Sequence, residues 1–374
     1  MREAAGHPSI LLAAGGTGGH LFPAQALAGE LGRRGWAIDL VTDHRADKYG
    51  TAFPARSIRT VASATLASRS PIAMLRTGFR LARGVWQSWR LIGKLRPKAV
   101  VGFGGYPTFP PIVAARISGT PAILHEQNAV MGRANRMLAG SVRAIATSFP
   151  EVGLLGRAAS KAVHTGNPVR EPVIAAMATP YPKRTIDDRF RLLVFGGSQG
   201  ARYFSELMPE LVAALPDEAR ARLDIVQQCR PEDIDEVGRI YKEQGIAAEL
   251  MSFFTDMPAR IAAAHLVICR SGASSIAELT AIGRPAILVP LPHALDQDQK
   301  NNARFVEEAG GGWIREQNDI EAVRLANEIL EHMNDPACLE AAAGRARALG
   351  TADAASRLAD LVERIAGKNN GDAA

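Results

Sequence analysis

The residues best suited to chemistry near the amino terminus form a glycine-rich loop, GGTGGH, at positions 15–20. Glycine tolerates positive φ and lets backbone N–H groups approach a ligand closely, and the helical pattern that follows adds partial positive charge at its first turn. These properties suit a phosphate group. The spacing matches neither GxGxxG nor GxxxxGK[ST], so a turn that only reverses the chain remains the alternative. His20 adds an imidazole, the side-chain type that exchanges protons near neutral pH.

Two further polar motifs each follow a strand-like run. Residues 196–201, GGSQGA, form a second glycine-rich sequence like the first loop, with Ser198 and Gln199 as side-chain donors or acceptors. Residues 125–128, HEQN, end the run PAIL. Because ligands bind outside the carboxyl ends of parallel strands, we expect both motifs to face a binding site. A solvated strand end is the alternative for HEQN.

A serine-rich helix start indicates a second anion site. Residues 269–285, CRSGASSIAELTAIGRP, follow the run LVIC and place Ser271, Ser274 and Ser275 at the beginning of a helical pattern. Glu278 comes four residues after Ser274 and therefore shares its helix face. An ordinary N-cap with an acid in the first turns is the alternative.

The run PLPHALDQDQKNNA, residues 290–303, is polar enough to bind a sugar. Five of its side chains can donate to or accept from hydroxyl groups: Asp296, Gln297, Asp298, Gln299 and Asn302. Asp296 and Asp298 also have the spacing of a pair that binds a metal–diphosphate complex. Two acids in a loop are common, so we expect no metal site here.

Strand-like apolar runs alternate with helical patterns, as is typical of parallel sheets with crossover helices. The runs are SILLAAGG, WAIDLVTD, AVVGFGG, PAILHEQ, AIATSFP, RLLVFGG, DIVQQC, LVICRSG and PAILVPLP. SILLAAGGTGGH near the start is echoed by RLLVFGGSQGA from Arg191, so the chain starts a doubly wound unit twice. We predict an α/β fold of two Rossmann-like, doubly wound domains facing a central cleft.

Composition suggests the domain boundaries. A segment rich in proline and charge near residues 169–182 is typical of a linker. It separates an amino-terminal domain, 1–168, from a carboxy-terminal domain, 169–349. We expect the amphipathic helix at about 350–366 to join the first domain and residues 367–374 to form a disordered tail.

Charge is distributed unevenly along the chain. The formal net charge is +6, with 47% hydrophobic and 22% charged residues, which is ordinary for a globular protein. Residues 48–150 contain 15 Lys or Arg and one acid, Glu126, so the remainder is net negative. This segment indicates an anionic partner: nucleic acid, an acidic lipid surface or a phosphorylated substrate. Three widely spaced cysteines fit the cytoplasm better than a disulfide framework or a zinc site.

Residues 72–95 have an amphipathic helical pattern. Ile72, Leu75, Phe79, Trp86 and Trp89 form one apolar stripe, flanked by Arg76, Arg80, Arg83, Arg90 and Lys94; Leu81, Val85, Ile92 and Leu95 form a second apolar face. We predict that the second face packs on a sheet and that the Trp-bearing stripe contacts an anionic phospholipid surface. The alternatives are burial of both faces or a division into two helices at Gly84. No nucleic-acid-binding pattern and no apolar run of the ~18 residues that span a membrane accompanies the charge.

Eight motifs, in order along nearly the whole chain, resemble the MurG family. They are GGTGGH with the following FPA, GFGGYP at 102–107, HEQN, GNPVR at 166–170, GGSQGA, FFTDM at 253–257, RSGASSIAE at 270–278 and the run around Gln299. No single motif decides the resemblance. Their shared order makes coincidence implausible.

The resemblance implies a GT-B glycosyltransferase fold and a role in peptidoglycan synthesis. GlcNAc would pass with inversion from UDP-GlcNAc to the C4 hydroxyl of MurNAc in undecaprenyl-pyrophosphoryl-MurNAc-pentapeptide (lipid I), giving lipid II. The enzyme would lie peripherally on the cytoplasmic face of the inner membrane, with cell-division or elongation proteins as partners. We expect no resident cofactor, and divalent-cation assistance to the leaving diphosphate stays open.

Matching positions also imply the site residues. In the second half, Ser198, Gln199, Ala273, Ser274 and Ser275 would bind the diphosphate, Glu278 the ribose, the Phe254 backbone the uracil and Gln299 the sugar. In the first half, Thr17, Gly18, Gly19, Asn128 and Arg170 would complete the donor site, with Tyr106 near the lipid diphosphate.

The implied reaction needs a base for the acceptor proton and positive potential for the departing UDP. We favour His20 as the base, with Glu126 and His125 as rivals. The alternatives to this activity are another UDP-GlcNAc-using enzyme of the same fold, such as a 2-epimerase or a glycolipid transferase, and a catalytically silent membrane scaffold.

Overall fold

The computed structural model describes residues 7–43, 53–63, 71–196 and 202–367. The chain divides into two compact units, Met1–Arg170 with Ala352–Ala374, and Glu171–Thr351. We call these the first and the second unit. Residues 368–374 of the expected disordered tail lie outside the described residues.

Within the described residues, the first unit is built on a seven-stranded sheet whose strands are all parallel. Its strands are β1 (Ser9–Ala13), β2 (Ala37–Thr42), β3 (Ser57–Thr60), β4 (Ala99–Gly102), β5 (Ala122–Glu126), β6 (Ala144–Thr147) and β7 (Ala162–His164). Its helices before the second unit are α1 (Gly18–Arg33), α2 (Pro71–Leu95), α3 (Phe109–Ile117) and α4 (Arg133–Leu138). The strand order is β3-β2-β1-β4-β5-β6-β7. The order therefore reverses direction at β1, and ligands bind beyond the carboxyl ends of strands at such a switch point.

The second unit repeats this plan with a six-stranded parallel sheet in its described part. Its strands are β8 (Phe190–Phe195), β9 (Leu223–Gln228), β10 (Ala248–Met251), β11 (Leu266–Cys269), β12 (Ala286–Leu288) and β13 (Gly312–Ile314). Its helices are α5 (Glu171–Ala176), α6 (Arg202–Ala213), α7 (Asp217–Arg222), α8 (Ile234–Glu243), α9 (Met257–Ala263), α10 (Ala273–Ile282), α11 (Asp298–Glu308), α12 (Ala322–Asn334) and α13 (Pro336–Ala348). The order β10-β9-β8-β11-β12-β13 reverses at β8. The predicted pair of doubly wound units is confirmed.

The last helix, α14 (Ala354–Ala366), packs on α1 of the first unit. Leu358 and Val362 are fully buried in the apolar layer that α1 forms on the first sheet. At the rim of this layer, Trp36 Nε1 donates to a Glu363 carboxylate oxygen at 2.7 Å, and Arg34 pairs with the same carboxylate at 2.9 Å. The chain therefore returns to the first unit after completing the second.

The segment predicted as a linker, residues 169–182, packs within the second unit from Glu171 onward. Val173 of α5 is fully buried, and Tyr181 Oη donates to the carbonyl oxygen of His265 at 2.9 Å. From Glu171 onward the segment therefore belongs to the second unit, where α5 contacts α9 and α10.

Arg284 connects the same segment to the carboxyl ends of two helices through hydrogen bonds. It is 1% exposed, and its guanidinium donates at 2.6–3.2 Å to five carbonyl oxygens, those of Thr179, Pro180, Ala262, Ile282 and Gly283. Three of these oxygens end α9 and α10, where the helix dipole favours a cation. Burial lowers the pKa of the guanidinium to about 10, so it stays charged at neutral pH.

Helix α2 is one continuous helix of 25 residues, so the alternative of two helices divided at Gly84 is wrong. Gly84 is instead a point of close approach. A Cβ there would lie 2.0 Å from the carbonyl oxygen of Ala62 and 3.0 Å from Pro110 Cγ. The absence of a side chain lets α2 contact its neighbours at this position, and Ile92, further along the same helix, is buried in the core.

Candidate active site

The first glycine loop joins β1 to α1 at the switch point of the first sheet. Thr17 is the N-cap residue of α1, and its Oγ1 lies 3.0 Å from Nδ1 of His20. This contact orients the imidazole, which is partly exposed. Thr17, Gly18, Gly19 and His20 thus lie together at the start of a 16-residue helix, where N–H groups and the helix dipole favour an anion.

The GFGGYP motif forms one wall of this loop. Gly104 and Gly105 have φ of 83° and 76°, a region that side chains other than glycine adopt at a cost. A Cβ on Gly104 would lie 3.2 Å from His20 Cδ2, and one on Gly105 would lie 3.5 Å from Cε1. Both glycines therefore make room for the imidazole. Tyr106, the next residue, is 41% exposed.

Glu126, one rival for the role of base, is 1% exposed at the end of β5. Its carboxylate accepts hydrogen bonds from Asn128 N at 3.0 Å, Gly132 N at 2.9 Å and Asn135 Nδ2 at 2.8 Å. Burial raises its pKa, against the opposing effect of these bonds. We interpret Glu126 as a structural residue that stabilises the loop carrying Asn128, because its carboxylate oxygens already accept hydrogen bonds there.

His125, the other rival, is fully buried. Gln127 Nε2 donates to its Nδ1 at 2.9 Å, which leaves Nε2 as the protonated nitrogen, 3.3 Å from the carbonyl oxygen of Gly166. Burial, opposed by the bond to Gly166 and reinforced by His20, lowers the pKa of His125 to about 4. The residue is therefore neutral at physiological pH, with both ring nitrogens engaged in the protein interior.

We expect unfolding to become easier as the pH falls from about 6.5 toward 4. Burial also lowers the pKa of His265 to about 4; its Nδ1 accepts from Arg191 N at 2.8 Å. In this window the unfolded chain binds protons that the folded chain excludes, so each histidine lowers the free energy of unfolding by up to about 3 kcal/mol. Urea unfolding at several pH values measures this slope.

The matched variants are His265→Asn and, as a control, His164→Asn at an exposed position. The first should flatten the pH slope and the second should leave it unchanged. Glu126, whose raised pKa acts in the opposite direction, is present in all three proteins. Equal slopes for all three would contradict this account of His265.

Arg170 lies beside the first glycine loop. Its guanidinium carbon is 3.8 Å from the centre of the Phe22 ring, a favourable cation–π distance. Phe22 in turn lies close to Gly18, where a Cβ would be 3.0 Å from Phe22 Cε2. The structure thus brings a cation from the GNPVR motif next to the GGTGGH motif, two motifs that are far apart in sequence.

In the second unit, the serine-rich motif begins α10. Gly272 is the N-cap residue. The hydroxyl oxygens of Ser271 and Ser274 are buried and have no hydrogen-bond partner within the part of the chain that the structure describes. Unpaired buried hydroxyls at the start of a ten-residue helix are suited to an anionic ligand. Ser275 and Glu278 are both partly exposed on the same helix.

Gln299 lies in the first turn of α11, with a fixed amide orientation. Its Oε1 accepts from Leu291 N at 3.1 Å, so its Nε2 is the group that can donate to a sugar hydroxyl. Asp298, the preceding residue, accepts from Gln299 N at 2.7 Å. Burial raises the pKa of Asp298, and Asp296 adds to the effect. No group of three or more His, Cys, Asp or Glu side chains suited to a metal occurs among the described residues.

Phe254 is 3% exposed, and the Arg260 guanidinium lies 4.2 Å from the centre of its ring. The ring is therefore enclosed by the protein, and the backbone contact that the resemblance implies stays a prediction. The neighbouring Phe253, which the sequence analysis did not single out, is 57% exposed.

Ser198 and Gln199 lie outside the described residues, between the end of β8 at Phe195 and the start of α6 at Arg202. A further residue, Arg270, was not predicted. It is 8% exposed between β11 and α10, and its position next to Ser271 in the serine-rich motif was the signal available in the sequence.

Four apolar side chains of the predicted membrane-facing stripe on α2 are exposed, and the side chain of Ile72 lies outside the described ones. Leu75 is 77%, Phe79 73%, Trp86 54% and Trp89 48% exposed, and the flanking Arg76, Arg80, Arg83 and Arg90 are exposed as well. Five exposed apolar residues in the described part of the first unit were not predicted: Ile58, Met74, Ile117, Met137 and Leu154. Among the described helices, none combines the length and the apolar character needed to span a bilayer.

Two doubly wound parallel sheets, each with an anion-suited helix start at its switch point, are the architecture expected of a GT-B glycosyltransferase. Family models agree: residues 10–147 match the glycosyltransferase family 28 N-terminal domain and residues 191–362 match the C-terminal domain. A Brucella canis UDP-N-acetylglucosamine--N-acetylmuramyl-(pentapeptide) pyrophosphoryl-undecaprenol N-acetylglucosamine transferase is 54% identical over 98% of this chain and 96% of its own. The chain belongs to this family, the MurG transferases of glycosyltransferase family 28.

Solved structures share the fold. The crystal structure of Acinetobacter baumannii MurG is 26% identical, covers 96% of this chain and 99% of its own, and superposes with a TM-score of 0.76. A UDP-N-acetylglucosamine 2-epimerase superposes with a TM-score of 0.64 over 97% of this chain and 98% of its own, at 14% identity. The second similarity concerns the fold alone.

Proposed function

We propose that the protein transfers GlcNAc from UDP-GlcNAc to the C4 hydroxyl of MurNAc in lipid I, forming lipid II. The observation that carries the proposal is the near full-length similarity to transferases named for this donor and this acceptor. The anion-suited starts of α1 and α10 support it, because both substrates contain a pyrophosphate.

We assign the donor mainly to the second unit. The Ser274 hydroxyl at the start of α10, which has no hydrogen-bond partner among the described residues, supports a diphosphate site that also includes Ala273, Ser275, Ser198 and Gln199. Glu278 would bind the ribose, the Phe254 backbone the uracil and the Gln299 amide the sugar. As the bond from the sugar C1 to the UDP oxygen breaks, the dipole of α10 stabilises the negative charge on the departing UDP.

We assign the acceptor and the base to the first unit. In the tautomer with a proton on Nδ1, His20 donates to Thr17 Oγ1, and its Nε2 takes the proton of the acceptor hydroxyl as that oxygen attacks C1. The contact between Thr17 and His20 supports this role, because general-base catalysis needs a fixed imidazole. Gly18, Gly19, Tyr106, Asn128 and Arg170 are the proposed substrate contacts around it.

The test is UDP release from UDP-GlcNAc by the purified protein, with and without a short-chain lipid I analogue. Release that requires the acceptor supports the proposal. Release without the acceptor would favour a 2-epimerase or a hydrolase, and no release would favour a scaffold without catalytic activity.

We further propose that the protein works peripherally on the cytoplasmic face of the inner membrane, near the proteins of cell division or elongation. The exposed stripe on α2 supports the membrane contact, since Trp and Phe enter the interface while arginines meet anionic headgroups. Arg90 lies 5.0 Å from the Trp86 ring, so one residue pair presents both properties.

Phe79→Glu is expected to weaken binding to vesicles of anionic phospholipid by roughly tenfold or more, because it removes the proposed apolar contact with the bilayer and adds repulsion from the headgroups. Flotation of the protein with such vesicles measures the effect. Val323→Glu is the matched control, since Val323 is 60% exposed in the second unit. Equal flotation of both variants and the wild type would argue against α2 as the membrane contact.

A further inference from the structure

Arg270 has an unusual set of partners for a buried cation. Its Nη1 lies 3.2 Å from each of the carbonyl oxygens of Val289 and Pro290 and donates to them. Its Nη2 donates to Gln317 Oε1 at 2.5 Å. Arg270 therefore joins the start of the serine-rich motif to the segment after β12.

Two aromatic rings of α6 complete this environment. The Arg270 guanidinium carbon lies 5.1 Å from the centre of the Tyr203 ring and 5.3 Å from that of Phe204. Tyr203 Oη donates to the carbonyl oxygen of Gln317 at 3.3 Å. Carbonyl oxygens, an amide and ring faces thus surround the charge in the described part of the second unit. This arrangement, with three hydrogen bonds from the guanidinium, holds the side chain in place.

The connection from Arg270 to Gln299 passes through one peptide group. The Pro290 carbonyl accepts from Arg270, and the N–H of the same peptide, which belongs to Leu291, donates to Gln299 Oε1 at 3.1 Å. Because a peptide group is planar and rigid, a bond that fixes its carbonyl also fixes its N–H. Arg270 therefore helps to set the orientation of the Gln299 amide.

A second contact connects α11 to the serine-rich motif. Asn302, fully buried on α11, donates through Nδ2 to the carbonyl oxygen of Ser271 at 3.1 Å. The helix that carries Gln299 is thereby held to the residue that follows Arg270. The amide of Gln299 is fixed from its own helix and from the peptide that it contacts.

We propose that Arg270 is a positioning residue that selects the donor sugar through Gln299. With Oε1 held by Leu291, Gln299 presents Nε2, a donor, to a hydroxyl of the hexose. Loss of Arg270 lets the 290–291 peptide tilt and the amide rotate. The inference rests on the proposed function, since it assumes that Gln299 meets the sugar of UDP-GlcNAc.

The test compares calorimetric binding of UDP and of UDP-GlcNAc to the full chain. In Arg270→Met and in Gln299→Ala, affinity for UDP-GlcNAc should fall about 5- to 10-fold, the loss of one well-placed hydrogen bond, while affinity for UDP stays within about twofold of wild type. The double variant should lose no more than either single variant. Arg270→Lys, which can still donate to Pro290, should recover part of the loss.

Gln317→Leu and Arg239→Gln complete the set. Gln317→Leu removes one partner of the guanidinium without touching Arg270, so it should weaken sugar-dependent affinity in the same direction even if Arg270→Met fails to fold. Arg239, whose side chain is 59% exposed on α8, is the arginine control and should change neither affinity.

Equal losses for UDP and UDP-GlcNAc in Arg270→Lys and Gln317→Leu would overturn the inference, because they would mean a role at the diphosphate. Unchanged affinities in both variants would also overturn it. A wild-type protein that binds neither compound would instead contradict the proposed function.

Discussion

His20→Asn is expected to lower kcat for acceptor-dependent UDP release by about 10²- to 10⁴-fold, the usual contribution of a positioned general base. Asparagine retains a polar group near Thr17 but cannot take up the proton of the acceptor hydroxyl. Calorimetric affinity for UDP-GlcNAc should change little, because the proposed donor contacts of the second unit remain. The residual kcat of this variant should no longer fall toward acidic pH as the kcat of the wild type does.

Two comparison variants make this test specific. Thr17→Val removes the contact that orients the imidazole and should cause a smaller loss of kcat, about tenfold, with the pH profile retained. His164→Asn, at an exposed position of the first unit, should leave kcat unchanged. A His20→Asn enzyme with more than a tenth of wild-type kcat would exclude His20 as the base.

Arg284→Met is expected to lower the free energy of unfolding by about 3 kcal/mol or more, the largest stability effect we anticipate. Removing the guanidinium leaves several buried carbonyl oxygens without a donor, and each unsatisfied group costs roughly 1–3 kcal/mol. The gain from no longer burying a charge offsets part of this cost. Arg284→Lys should recover only part of the stability, because an ammonium lacks the planar fork that serves five oxygens.

The measurement is urea unfolding together with hydrogen exchange of the peptides that contain the ends of α9 and α10. Faster exchange should concentrate in those peptides. Arg239→Met, on the surface of α8, is the control and should change the free energy by less than about 0.5 kcal/mol. Identical exchange in Arg284→Met and the wild type would rule out the role assigned to Arg284.

The nine strands predicted from sequence are those with strongly apolar runs. The four strands that were not predicted, β3, β7, β10 and β13, are the outermost strands of the two sheets. Ser57–Thr60 and Ala248–Met251 are largely exposed or half-buried. Parallel strands covered on both faces must be apolar throughout, whereas an edge strand with water on one side carries no such pattern. The prediction therefore failed where burial no longer determines residue type.

The features of the candidate site also fall into those that the sequence predicts and those that it does not. Glycine loops and a serine-rich helix start leave a local signal, so the residue types of GGTGGH and of the start of α10 were enough to predict an anion site at each. Glu126 bonds to Gly132 and Asn135, and His125 to Gly166; these partners lie 6, 9 and 41 residues further along the chain. Whether a carboxylate or an imidazole faces a substrate or the protein interior is decided by such tertiary contacts. The roles of Arg270 and Arg284 arise in the same way, from carbonyl oxygens that no sequence pattern marks.

The return of α14 to the first unit has a consequence for biogenesis. The second unit is continuous, Glu171–Thr351, and lies as an insertion within the first. On the ribosome, the second unit can therefore complete its hydrogen-bonded sheet while the first still lacks Leu358 and Val362 from its apolar layer. The amino-terminal half, although made first, must await the end of translation to bury that surface. A chain that stops before α14 would leave an apolar patch exposed for chaperones and proteases to recognise.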